Sequence, residues 1–503
     1  MSTPIRITVI TILLSNFVMA SSGMAQPSAS KLETDSIQTM NLIVIMTDEH
    51  NFRTLGCYRK TMEGRQAYMW GPDVVETPHI DSLAEQGALC TSFYATTPVC
   101  SPSRACLISG LYPQKTPVTN NNIPLNDNVV SFAEILAKHG YATGFAGKWH
   151  LDGAAKPGWA PHRKFGFADN RYMFNRGHWK KLELAGETAR VASRKKGQPS
   201  YGVDGATRES FTTDFLMDRL IDFVNQNKSR PFCYMVSLPD PHGPDTVREP
   251  YASMYQNHKY LKPTTFDKSE EGLPTWGKKQ KSGFGMASYY GMVKCIDDNI
   301  GRLLNKLKQA GILANTVIVF TADHGDLRGE HHRQNKGVPY EGSTRVPFLI
   351  RFPGKITPGT QIDQALGSID FVPTILPMLD IKTDQPFDGR DATRLFQSQP
   401  AEDWKDISIV RGTGKEWGWL MAVTDRYKMV VSPSDPPWLF DLQRDPDEVA
   451  NVFTHPGYRE IARELGTALR QYGEKHQDPF TQSPKVRADL TWIMRGSGEY
   501  PGR

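Results

Sequence analysis

The chain has 503 residues, 39% hydrophobic and 22% charged, which allows a sizeable core and two subdomains. A net charge of +5 is small at this length and gives no case for nucleic acid as a partner, although local lysines and arginines can still attract a polyanion.

The N-terminus reads as a secretory signal. Arg6 precedes the apolar run Ile7 to Ala20, and small-residue cleavage sites follow at Val18-Met19-Ala20 and Gly23-Met24-Ala25. Cleavage after Ala25 is expected, making residues 1–25 the signal peptide. The run is too short and too polar to span a bilayer, and no other segment approaches a span. The mature chain is therefore expected to be exported, periplasmic or secreted, with no membrane association.

From residue 38 to about 384 the pattern alternates strand and helix. Asn41-Leu42-Ile43-Val44-Ile45-Met46 is a short apolar run of the kind that makes a buried strand, ending in Thr47-Asp48-Glu49-His50. A helix from Ile80 to Gln86 opens at Thr77-Pro78 and stops at Gly87, and Phe132, Ile135 and Leu136 mark another between Ser131 and Gly140. Tyr141 to Ala146 reads as a strand leading into Gly147-Lys148-Trp149-His150. A helix carrying Phe215, Leu216, Leu220, Ile221 and Val224 follows. The strand Phe232 to Leu238, a long helix from Tyr289 to Gln309 and the strand Thr316 to Phe320 complete the series. This predicts an α/β fold with a large mixed, mostly parallel sheet flanked by helices, in which ligands bind at the carboxyl ends of the strands.

Residues 385–503 read differently. Ile407 to Arg411, Trp419 to Val423, Tyr427 to Val431 and Trp438 to Leu442 predict a small antiparallel sheet, followed by a helix from Tyr458 to Tyr472. This segment is expected to be a C-terminal subdomain packed on the catalytic one. Between them in composition lies Tyr172 to Gly205, a polar insertion rich in Lys and Arg around Arg190 to Lys196. It reads either as a wall of the substrate cleft or as a solvated loop.

Two acidic clusters stand just past apolar strands, Asp48 with Glu49 and Asp323 with His324. Parallel strands can bring them together. Carboxylates converging on a site for an anionic ester would repel it unless a cation lay between them, and hard oxygen ligands favour calcium or magnesium.

The segment Cys100-Ser101-Pro102-Ser103-Arg104 contains the pattern Cys-x-Pro-x-Arg, and Pro102 with the short polar residues around it predicts the opening turn of a helix through Ala105 to Ser109, stopped by Gly110. Such a helix would aim its positive end at an anion. The pattern and its extension Ala105-Cys106-Leu107-Ile108-Ser109-Gly110 resemble the signature of the type I sulfatases of the alkaline phosphatase superfamily, and further segments repeat that resemblance in order from residue 40 to about 450. The resemblance implies an alkaline phosphatase-like fold, oxidation of Cys100 to formylglycine by a maturation enzyme, and a bound calcium ion. A serine accepting a sulfuryl group would be left as a stable ester; a hydrated aldehyde has a second hydroxyl whose deprotonation expels sulfate.

By the same resemblance, Asp48, Glu49, Asp323, His324 and residue 100 are the metal ligands, although the family often has a second aspartate where Glu49 stands. Arg104 would hold the nucleophile. Lys148 and Lys336 would bind sulfate oxygens, His150 would contact the formylglycine hydrate, and His242, in Pro239-Asp240-Pro241-His242-Gly243-Pro244, would protonate the leaving group. Leu439-Phe440-Asp441-Leu442 and Asp445-Pro446-Asp447-Glu448 resemble the family's C-terminal segment. Conversion of Cys100 would leave five cysteines, an odd remainder that argues against a full disulfide framework but leaves one or two bridges open. The expected activity is sulfate ester hydrolysis with a sulfated saccharide as substrate. The alternatives are a phosphonate or phosphate ester hydrolase of the same superfamily, and a non-catalytic glycan-binding protein in which Cys100 stays a thiol.

Overall fold

The computed structural model describes residues 39–280, 285–414, 418–495 and 498–502; the signal peptide expected over residues 1–25 lies outside them. The main sheet has eight strands. In chain order they are β1 (Asn41–Asp48), β2 (Ala88–Cys90), β3 (Ala142–Lys148), β4 (Asp169–Phe174), β5 (Phe232–Pro241), β6 (Thr316–Ala322), β7 (Phe348–Arg351) and β8 (Thr360–Ile362). They lie side by side as β8-β2-β7-β6-β1-β5-β3-β4. All pairings are parallel except those of β7, which runs antiparallel to β6 and β2. The mixed, mostly parallel sheet expected from the alternating pattern is present.

Strand alternation explains why the sheet carries helices on both faces. In β1, Leu42, Val44 and Met46 enter one apolar core while Ile43 and Ile45 enter the other. Val317 and Val319 of β6 divide from Ile318 and Phe320 in the same way. All are fully or almost fully buried, each contributing about 1.5–3 kcal/mol by leaving water. Helices Thr212–Asn227 and Ala287–Gln309 cover one face; Phe132–Lys138 and Phe371–Met378 cover the other. A charge at Val44 would break this arrangement, because neither face offers water or a partner.

The C-terminal region forms a four-stranded antiparallel sheet, Ser408–Arg411, Leu420–Val423, Tyr427–Val431 and Trp438–Asp441, in chain order. Leu420, Ala422, Met429 and Leu439 pack against the helices Arg459–His476 and Pro484–Arg495, the second of which the sequence pattern did not indicate. The opposite face, with Met421, Val423, Val430 and Phe440, packs on Tyr94, Leu327, Val338 and Tyr340 of the larger body. The small sheet thereby buttresses the loop that carries Lys336. Lys428 Nζ donates to the Pro339 carbonyl at 3.0 Å, and Trp419 Nε1 to that of Gly337 at 3.1 Å.

All six cysteines are free and buried, so the one or two bridges left open above do not form. No described helix is long and apolar enough to cross a membrane.

Candidate active site

Four parallel strands deliver the site from their carboxyl ends: Asp48 and Glu49 from β1, Lys148 from β3, Asp240 and His242 from β5, Asp323 and His324 from β6. Because β1 lies between β5 and β6, side chains far apart in sequence converge at one edge. The fifth contribution is the helix Cys100–Ser109, which starts at Cys100 and closes at Gly110 with φ of 69°, a left-handed conformation that favours glycine. Every residue of this helix is buried. Cys100 therefore sits on a helix N-terminus inside the protein, where the dipole favours negative charge.

Asp48, Cys100, Asp323 and His324 form one cluster of metal-capable atoms. His324 Nε2 lies 3.2 Å from Cys100 Sγ, 3.7 Å from Asp48 Oδ1 and 3.5 Å from Asp323 Oδ1. Cys100 Sγ is 3.9 Å from Asp48 Oδ1. Ligand atoms that surround one ion at about 2.3–2.6 Å have mutual spacings of this order. The cluster also calls for positive charge: burial alone would lower the His324 pKa, but Asp323 chiefly overcomes this and pushes it up to about 9.

Arg104 anchors the cluster from below. Its Nε donates to Asp323 Oδ2 at 2.9 Å and Nη2 to Asp48 Oδ2 at 3.1 Å, while Nη1 donates to Ser237 Oγ at 2.7 Å and the Lys148 carbonyl at 2.5 Å. Lys148 Nζ pairs with Asp48, lies 3.6 Å from Cys100 Sγ and is fully buried. Burial would raise the Asp48 and Cys100 pKa values. Lys148 is the leading cation that reverses this and holds both well below their ordinary ranges, helped by His242 and Arg104 at Asp48 and by Lys336 and His324 at Cys100.

Glu49, expected beside Asp48 as a ligand, is not among the four clustered residues and is held by two other side chains. It has φ of 59°, which ends the strand alternation, and its carboxylate accepts from Lys336 Nζ at 3.0 Å and sits 2.9 Å from His242 Nε2. Burial opposes its ionisation, but His242 and Lys336 hold its pKa well below the carboxylate range. Lys336 Nζ is also 3.0 Å from His242 Nε2, so Glu49, Lys336 and His242 form one unit.

The backbone departs from the extended conformation on either side of Lys148 and Trp149. Gly147 has φ of 104°, with its missing Cβ 1.9 Å from the Ser237 carbonyl oxygen, and His150 has φ of 63°. This turn sends Lys148 into the cluster and lets His150 approach Cys100 from the other side. His150 Nε2 donates to Asn122 Oδ1 at 3.1 Å, since a carboxamide oxygen only accepts, leaving Nδ1 as a lone pair. Nδ1 is buried and makes no well-formed hydrogen bond, and Cys100 lies close enough to the ring to interact with it.

Sequence reasoning missed several contributors. Asn121 Oδ1 accepts from the Ser101 N–H at 3.0 Å, and Asn122 orients His150; the run Asn120-Asn121-Asn122 was the available signal. His178 is the larger omission. Its ring stacks on His242 with centroids 3.6 Å apart and planes 9° from parallel, and its Nε2 meets Lys148 Nζ at 2.8 Å. It lies just past the carboxyl end of β4, the same kind of position that the other site residues occupy.

A large, mostly parallel α/β sheet with a buried helix-N-terminal residue among carboxylates, lysines and histidines defines an alkaline phosphatase-like hydrolase. Residues 40–381 match the Sulfatase family, and residues 329–475 match the family described as N-sulphoglucosamine sulphohydrolase, C-terminal. The chain belongs to the sulfatase family and is a sulfuric ester hydrolase. It is 27% identical to an ulvan-active sulfatase of Formosa agariphila, over 88% of this chain and 82% of that protein. Among solved structures it resembles a protein in complex with its substrate D-glucosamine-2-N,6-O-disulfate, with a TM-score of 0.71, 21% identity and coverage of 88% and 99%. It also resembles the phosphonate monoester hydrolase of Agrobacterium radiobacter, with a TM-score of 0.66, 22% identity and coverage of 87% and 96%.

Proposed function

We propose that this chain hydrolyses a sulfate monoester of a sulfated carbohydrate, using a formylglycine formed from Cys100 and one calcium ion. Asp48, Asp323, His324 and the residue-100 group would hold the ion. The observation that carries the reading is the seat of Cys100. It begins a buried helix, carries Pro102 and Arg104 at the spacing of the sulfatase signature, and lies within 3.6 Å of Lys148 Nζ and 3.2 Å of His324 Nε2. The donor set fits calcium better once an oxygen replaces sulfur at residue 100, because calcium prefers hard oxygen ligands. Glu49 accepts from Lys336 and lies against His242, so we assign it to holding those two.

A formylglycine hydrate would supply one hydroxyl to attack sulfur and a second whose deprotonation would release sulfate, and calcium, held by Asp48, Asp323, His324 and residue 100, would supply positive charge for the anionic ester. The chain's own residues do the rest. Lys148 and Lys336 place two ammonium groups at the sulfuryl oxygens. His242 Nδ1 donates to the Gly243 carbonyl at 2.9 Å, so Nε2, 2.9 Å from Glu49, is the atom that would carry a proton to the departing alcohol once Lys336 turns from it to the sulfuryl oxygens. His150 Nδ1 accepts a proton from residue 100 in the second half of the reaction. Arg104 fixes Asp48 and Asp323 and stays charged throughout.

The carbohydrate substrate is supported by the relatives that act on ulvan and on a glucosamine disulfate. We place the protein outside the cytoplasm, periplasmic or secreted, on its signal-like N-terminus, with residues 38–384 as the catalytic domain and 385–503 as the C-terminal subdomain. The phosphonate hydrolase likeness makes phosphorus esters the competing reading. The test is production with a formylglycine-generating enzyme, mass spectrometry of the Cys100 peptide, and paired assays on defined sulfated saccharides, phosphate esters and phosphonate esters. We expect the formylglycine mass and the highest specific activity on sulfated saccharides. Active protein carrying only the thiol would overturn the nucleophile, a preference for phosphorus esters would overturn the substrate class, and saccharide binding without turnover would leave a glycan-binding protein.

A further inference from the structure

We infer that His178 is a positioning residue for the leaving-group step: its ring, tethered to Lys148 and laid flat on His242, holds His242 in the orientation from which it delivers a proton. This rests on the sulfatase reading and on His242 as the proton donor.

The protonation state of His178 follows from its partner. Lys148 Nζ, 2.8 Å from His178 Nε2, can only donate, so Nε2 accepts and the ring's single proton is on Nδ1. The ring lies flat against that of His242, with centroids 3.6 Å apart and a 9° tilt. The contact also restricts rotation of the His242 ring, whose other restraint within the residue's own loop is the Nδ1 bond to Gly243.

The same segment holds the His242 backbone through a second handle. Lys180, two residues on and fully buried, donates to the His242 carbonyl at 3.1 Å and to Asp240 Oδ1 at 2.6 Å. Asp240 Oδ2 accepts from Thr213 Oγ1 at 2.5 Å, so this carboxylate is locked to the helix Thr212–Asn227. One short stretch thus fixes both ring and main chain of His242, whereas its neighbour Trp179 faces away from the loop and packs on Tyr201 with centroids 4.8 Å apart. His178 Nε2 is engaged by Lys148, so His178 acts through His242 rather than on the reacting atoms.

A role confined to folding would lower turnover of every ester alike. Positioning of a proton donor predicts a loss that depends on the leaving group, because nitrophenolate departs without a proton and a sugar alkoxide does not. The experiment measures kcat for wild type, His178→Ala, His178→Phe and His242→Ala on aryl sulfates of rising phenol pKa and on a sulfated saccharide. For His178→Ala we expect about a tenfold loss or less on nitrophenyl sulfate and about a hundredfold loss on the saccharide, part of the 10²–10⁴ that general acid catalysis supplies. His178→Phe keeps a flat ring on His242 but cannot accept from Lys148, so it should recover most of the saccharide turnover that His178→Ala loses; His178→Leu, which fills the space without a flat ring, replaces His178→Ala if that variant fails to fold. A uniform loss across the series, or none, in both His178 variants overturns the inference while leaving the sulfatase reading intact. A flat series for His242→Ala overturns it by removing the proton donor, and absence of sulfate ester turnover in wild type overturns the function itself.

Discussion

Arg104 and Asp323 are joined by two nitrogens on one oxygen: Nε at 2.9 Å and Nη2 at 2.8 Å both reach Asp323 Oδ2, in a pair that is almost entirely buried. The same guanidinium reaches Asp48, so one side chain of the nucleophile helix ties together the ends of β1 and β6. The residue that completes the Cys-x-Pro-x-Arg pattern is thus also the one that sets the spacing of the two carboxylates. On the proposed reading, recognition during maturation and the architecture of the finished site would fall on the same side chain.

Arg104→Lys should therefore be severe although it conserves charge. One ammonium cannot replace a fork that serves two carboxylates, Ser237 and the Lys148 carbonyl, and each buried group left unpaired costs about 1–3 kcal/mol. We expect at least a hundredfold loss of kcat/KM and a lower Tm. Mass spectrometry on the same sample separates failed conversion of Cys100 from a misassembled site. Wild-type activity in unconverted or converted protein would refute the argument.

The two cysteines of this helix should behave oppositely. Cys100→Ala should abolish turnover. Cys106 packs with Leu420, Leu439 and Leu465 in the C-terminal core, burial pushes its thiol pKa above the ordinary range, and it touches none of the site residues described above. Cys106→Ala should cost about 1 kcal/mol for a small cavity and leave kcat within about twofold. Equal loss in both variants would show that the helix, not the nucleophile, had been disturbed.

Asp323→Asn tests the cation. The substitution keeps the shape of the side chain but removes a hard anionic ligand and leaves Arg104 with one carboxylate. Metal analysis of the purified variant should find less than a tenth of a calcium per chain at concentrations that saturate wild type, with activity down about 10³-fold on the scale of lost metal catalysis. Circular dichroism should show the fold retained. Stoichiometric calcium in Asp323→Asn would move the site elsewhere.

How much of this was visible in the sequence depends on how local each determinant is. The central strands were legible because buried parallel strands read as apolar runs, as in Leu42 to Met46 and Val317 to Phe320. The three- and four-residue strands β2, β7 and β8 at one side of the sheet are too short to show a period. Cys100 and Arg104 were legible because one turn of helix holds both. The direction of Glu49 was not, since it depends on a left-handed backbone at a residue that is not glycine. The insertion drew attention to Arg194, Lys195 and Lys196, which occupy an exposed two-stranded turn, Arg194–Lys195 with Gln198–Pro199. The residues of that region that reach the site are His178 and Lys180, and a polar composition conceals both, because a buried lysine is recognised only by its partners.

The last prediction concerns the C-terminal sheet. Lys428 is fully buried, with Nζ 2.6 Å from Glu341 and 2.6 Å from Glu448, and Glu448 in turn accepts from the Glu341 N–H at 2.7 Å. Burial, reinforced by Glu341, already pushes the Glu448 pKa to about 7 despite Lys428. A carboxyl raised in the fold keeps a proton that the unfolded chain releases, so its contribution to stability falls as pH rises from about 4.5 towards 7. Lys428→Met would remove the cation from both carboxylates, at a cost of about 3–5 kcal/mol, would raise the Glu448 pKa further, and would lift that of Glu341, which Lys428 holds below the ordinary carboxylate value against burial. The deficit relative to wild type should then be smallest near pH 5 and grow by up to about 1.4 kcal/mol per pH unit for each carboxyl that keeps a proton wild type has released. Urea denaturation at pH 5, 6, 7 and 8 measures it. Because Lys428 also holds the Pro339 carbonyl three residues past Lys336, folded variant protein should show raised KM for sulfate esters. A deficit independent of pH would show that Glu341 and Glu448 find other partners, and an unchanged KM would separate this sheet from the sulfate-binding loop.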